Sequence, residues 1–124
     1  MPFVHSNEAT VHDLLGTRFT SYISPATGSR DLAAWRAEIP AGSMIPEHVI
    51  SHEETFYILS GRLRLTIDGE TAELAAGDAA VAPAGSALAG DNPTDKPAQI
   101  WTTTRVGLNS KLADGSIITP PWAN

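Results

Sequence analysis

His48, His52 and Glu54 bring two imidazoles and a carboxylate into one short stretch of a chain that has no cysteine. A carboxylate beside an imidazole can pass a proton to and from a small molecule, and two imidazoles with a carboxylate can face a divalent ion. Glu54 leads into an apolar run that holds Phe56 and Ile58. Burial raises a carboxylate's pKa, whereas a protonated His48 alongside would lower it. Opposing pushes of this kind suit a group that must both give and take a proton. The plain structural alternatives are a rim carboxylate satisfied by a backbone amide or an arginine, and a core histidine hydrogen-bonded to a carbonyl. His5 and His12 stand apart in the N-terminal segment and read as surface residues. The absence of cysteine removes thiolate nucleophiles and disulfide frames, and no Gly-rich phosphate loop is present.

The elements that must position these groups are short strands. The chain has 124 residues, enough for one core and too few for two. Hydrophobic residues make up 42% and charged residues 18%, which excludes a disordered chain. A formal charge of −6 with only two lysines leaves little to neutralise phosphates, so neither nucleic acid nor an anionic membrane is expected as a partner. No apolar stretch reaches the roughly 20 residues of a membrane helix. Met1-Pro2-Phe3-Val4-His5 lacks the pattern of a signal peptide, and a cytoplasmic location is expected.

A short helical turn is read around Val11 to Leu15, then a strand from Thr17 to Ser24. Ala33, Trp35, Ala37 and Ile39 alternate with Ala34, Arg36 and Glu38, the period of a half-buried strand. Asp68-Gly69 is the dipeptide of a two-residue type I′ hairpin. Folding about it sets Thr66 opposite Thr71, Leu65 opposite Ala72, Arg64 opposite Glu73 and Leu63 opposite Leu74. Arg64 and Glu73 then read as a solvated cross-strand pair. Turns at Gly77-Asp78 and Pro83-Ala84-Gly85 and a loop from Gly90 to Pro97 precede a strand from Ala98 to about Val106. The apolar tail around Ile117, Ile118 and Trp122 should dock, on its own barrel or on a second subunit. Many short strands with frequent turns indicate an all-β sandwich or barrel.

Two stretches carry a family pattern. Gly42 is followed by five residues, His48-Val49-Ile50, three residues, Glu54, six residues and Gly61. Further on come Gly77, five residues, Pro83-Ala84-Gly85, two residues, Leu88, three residues and Asn92. Together they resemble the two motifs of the cupin superfamily. The resemblance implies a single cupin jelly-roll barrel of antiparallel strands over residues 1–124, its core at about 30–106. Residues 1–29 and 107–124 would pack on the barrel or on a partner subunit, and a homodimer is expected.

In metal-binding cupins, two histidines and a glutamate of the first motif and one histidine of the second hold a divalent ion. Here His48 and Glu54 match, while Ile50 and Leu88 stand at the other two positions and cannot ligate. No cofactor is therefore favoured, and the expected activity is metal-independent acid–base chemistry. It would be isomerisation, dehydration or cyclisation of a small, largely apolar substrate. Glu54 and His48 would be catalytic, with Ile50, His52, Phe56, Leu88, Trp35, Tyr57 and Trp101 around the substrate. Alternation puts Phe56 on the side of Glu54, although the turn just before it leaves that parity open. A second reading has His48, His52 and Glu54 hold Fe, Mn, Ni or Zn in an oxygenase-type site. A third is a non-catalytic cupin that binds a small ligand.

Overall fold

The computed structural model describes residues 2–124, and among them the secondary structure is strand with three single 3-10 turns. The strands are β1 (Thr10–Leu14), β2 (Thr17–Ile23), β3 (Leu32–Ile39), β4 (Met44–Ile50), β5 (Glu54–Ser60) and β6 (Arg62–Ile67). They continue with β7 (Glu70–Ala75), β8 (Ala79–Ala82), β9 (Ala87–Asp91), β10 (Ala98–Arg105), β11 (Ser110–Leu112) and β12 (Ile117–Ile118). One antiparallel sheet runs β1-β2-β3-β10-β5-β8 and the other β12-β11-β4-β9-β6-β7. The two close on each other as an all-β jelly-roll barrel. Among the described residues no helix is long and apolar enough to cross a membrane.

Alternation decides what faces the interior. Ala33, Trp35, Ala37 and Ile39 of β3 are all buried, as their period requires. Ile50, Ile58, Leu63 and Leu108 complete the most deeply buried apolar set. The β6–β7 hairpin has the expected register, with Asp68 and Gly69 at φ 49° and 84°. Arg64, however, does not reach for Glu73. Its guanidinium donates to both carboxylate oxygens of Asp91 on β9, at 2.8 and 2.6 Å, because a planar fork fits one carboxylate better than a flanking single contact.

Glycine is required at Gly61, where φ is +76° and an added Cβ would lie 2.6 Å from the carbonyl oxygen of Pro97. Asn92 is fully buried. It donates from Nδ2 to the carbonyls of Ile39 and Lys96 and accepts at Oδ1 from Thr94, so it ties the loop before β10 to the end of β3.

One expectation for the ends is corrected, and one open alternative is decided. Val11 to Leu14 form no helical turn; they are strand β1, paired to β2 across the Leu15-Gly16 turn. The tail docks on its own barrel. Trp122 stacks on Phe19 with ring centroids 3.8 Å apart, and Ser21 Oγ donates to the Trp122 carbonyl. Asn124 finishes the closure by accepting from Gly107 N and donating to the carbonyls of Leu108 and Pro120.

Candidate functional site

Inside the barrel lies a cavity of about 150 Å³ between the two sheets. Its wall is mostly apolar, built from Phe19, Trp35, Phe56, Leu88, Ile100 and Trp122 among others. Space of this size takes one benzene ring. A few polar side chains interrupt the wall: Thr17, His48, Glu54, Thr102 and Ser110.

Glu54 opens β5, between Thr104 on β10 and Ala82 on β8. Its side of the strand carries Phe56 and Ile58, all three buried and separated by exposed Thr55 and Tyr57. The Thr104 hydroxyl is turned to the carbonyl of Glu53 at 2.6 Å and leaves the Glu54 carboxyl without that donor. Burial, with no compensating hydrogen bond or cation, pushes the Glu54 carboxyl up from 4.5 to about 7. At neutral pH both protonation states are therefore populated.

His48 sits on β4 beside Leu88 and Leu112, just past a register shift that follows Ile45. It is half-buried and lines the same cavity. Its Nδ1 lies 2.8 Å from the carbonyl oxygen of Pro46, which can only accept. The Nδ1 nitrogen thus carries the proton, and in the neutral ring Nε2 remains as acceptor.

Of the other residues singled out in the sequence, Trp35, Phe56 and Leu88 line the cavity. Four do not. Ile50 is fully buried in the packed core and does not reach the cavity wall. His52 lies in the β4–β5 connection, where its Nδ1 is 2.6 Å from Ser51 Oγ and its ring faces Gly107. Tyr57 and Trp101 are cross-strand partners on the outer face of their sheet. There Tyr57 is half-exposed and Trp101 packs against Tyr22 at 5.6 Å.

The polar wall residues Thr17, Thr102 and Ser110 were not singled out. Thr102 was legible in principle, because it alternates with Trp101 and shares the parity of Ala98 and Ile100. The tail residues in the wall had no local signal, since only their docking brings them there.

The donors do not suit a divalent metal centre. His48 and Glu54 reach the cavity, Ile50 and Leu88, which stand at the two positions that the cupin resemblance gives to further ligands, have no donor atom, and His52 faces Gly107. Among the described residues no three His, Asp or Glu side chains group closely enough to hold an ion.

A family model described as a cupin domain matches residues 35–104. No curated protein matches the sequence. Among solved structures, the polyketide cyclase RemF from Streptomyces resistomycificus superposes with a TM-score of 0.75 at 19% identity, over 85% of this chain and 79% of that one. An RmlC-like cupin from Shewanella frigidimarina gives 0.74 at 18% identity, over 85% and 90%. A sugar phosphate isomerase of the cupin superfamily from Silicibacter pomeroyi gives 0.71 at 17% identity, over 94% and 92%. At such identities the likeness carries the fold alone.

Proposed function

The chain belongs to the cupin domain family, and on that premise we propose that its barrel is the site of a small-molecule enzyme in which Glu54 moves a proton. The observation that carries this reading is a carboxyl near pKa 7, free of hydrogen bonds, in a mostly apolar cavity. A general acid–base works best when its pKa lies near the working pH. Glu54 as carboxylate takes a proton from a carbon next to a carbonyl; as carboxylic acid it returns that proton to another carbon or to a leaving oxygen. Isomerisation needs only those two transfers; in dehydration the second transfer goes to the oxygen that leaves as water when its C–O bond breaks, and in cyclisation the enolate formed by the first attacks a carbonyl carbon of the same molecule, whose oxygen receives the second. His48 offers Nε2 to a substrate hydroxyl and so fixes which end of the molecule meets Glu54. The apolar wall keeps water from the intermediate. The substrate is small and largely apolar, with a polar function at one end. Two of the fold's neighbours, named as a cyclase and an isomerase, are in keeping with that chemistry.

Deuterium incorporation from D₂O into a panel of single-ring ketones tests the proposal. The wild type should exchange the proton beside the carbonyl, and Glu54→Gln should lower the rate by roughly 10²–10⁴-fold while ligand still binds. Equal exchange by both proteins would remove Glu54 from the chemistry. Binding without exchange across the panel would make the cavity a non-catalytic ligand site.

A further inference from the structure

The mouth of the cavity carries a residue that the fold itself does not favour. Leu15 and Gly16 form the two-residue turn between β1 and β2, with φ of 51° and 84°. The β6–β7 hairpin turns through nearly the same angles, φ 49° and 84°, and uses Asp68 and Gly69. Asp and Asn tolerate the left-handed region because their short polar side chains bond locally, whereas a leucine there is strained. Leu15 is also 69% exposed, so it does not recover that strain by burial in its own protein. Met44, at the start of β4, is 71% exposed, and both residues line the cavity. Two exposed apolar side chains therefore extend the apolar wall outward, and one of them is held there against its backbone preference.

We propose that Leu15 and Met44 form an outer half of the binding site, which holds the apolar part of a ligand too long for the inner chamber. The cavity that both side chains help to line takes a single ring, and their exposed parts continue its apolar wall outward to take an alkyl or second-ring extension of that ring. The ligand class is thus a ring with an apolar tail, its polar function inward. Leu15 acts as a specificity-determining residue and has no part in the proton transfer. The proposal rests on the reading above only in needing the cavity to bind a ligand.

The test compares phenol with 4-butylphenol by NMR titration of the wild type, Leu15→Asn and Met44→Gln, alongside thermal melts. The butyl group should tighten wild-type binding by roughly tenfold. Leu15→Asn should lose most of that gain while its affinity for phenol stays within about twofold. Its Tm should rise by roughly 3–6 °C, since asparagine suits the turn. Met44→Gln should lose the gain at unchanged Tm. Full retention of the gain in Leu15→Asn, or a fall in its Tm, would overturn the proposal. If phenol binds the wild type and the butyl group adds nothing, the outer site alone is wrong. If phenol does not bind the wild type at all, the ligand-binding reading of the cavity falls, and the outer site falls with it.

Discussion

Glu54 is buried in surroundings that favour its neutral form, and this makes the fold sensitive to pH in a definite direction. Its carboxyl titrates at about 7 in the folded chain against 4.5 for an unperturbed group. Between those values the folded state holds more protons than the unfolded one, so stability falls as pH rises from 4.5 to 7 and levels off above. The whole loss amounts to about 3 kcal/mol. Glu54→Gln should abolish that slope and make the protein more stable than wild type above pH 7 in urea melts; an unchanged slope would mean that another group is responsible. At this scale the candidate cavity was legible in part. The spacing from Gly42 to Gly61 brought out His48 and Glu54, and both line the cavity. Tyr57 and Trp101 lie outside the cavity because strand parity sends both outward whatever their aromatic character. The place of His52 was not legible, because its ring, in a connection between strands, answers to Ser51 and Gly107, neither of which has a periodic signature.

At the scale of elements, strand period and turn chemistry were sufficient wherever partners are close in sequence. The β6–β7 register follows from Asp68-Gly69 and one alternating pattern. What that pattern could not contain is β9, which pairs with the other edge of β6 and places Asp91 opposite Arg64. The carboxylate of Asp91 is held below its usual range by the hydrogen bonds from Arg64, while Glu73 makes no ion pair with it. Asp91→Asn should therefore lower Tm and loosen amide protection in β6 and β9, whereas Glu73→Gln should leave both unchanged. The reverse result would restore the pairing expected within the hairpin. The helical reading of Val11 to Leu15 failed for a related reason. The stretch has no strong period of its own, and β2 recruits it as an edge strand through a turn whose leucine gives no hairpin signal.

The whole molecule closes over its cavity by contacts that span most of the chain. Ser21 meets the Trp122 carbonyl, Phe19 stacks on the Trp122 ring, and Asn124 fastens the tail to Leu108 and Pro120. The apolar tail was legible as something that must dock, but its partner was not, because nothing local distinguishes one's own barrel from a second subunit. Trp122 is buried on its own barrel, while Ile117 in the same tail stays 65% exposed. Pro120 and Trp122 of that tail line the same cavity as Glu54, so the carboxyl's proton affinity reports on the assembled barrel. The most direct measurement is a ¹³C NMR titration of the Glu54 carboxyl in the intact wild-type protein, assigned by comparison with Glu54→Gln. A midpoint at about 7 is expected. A midpoint at 4.5, that of an ordinary solvated glutamate, would mean that the carboxyl is hydrated or paired, and it would contradict the proton-transfer role given to it here.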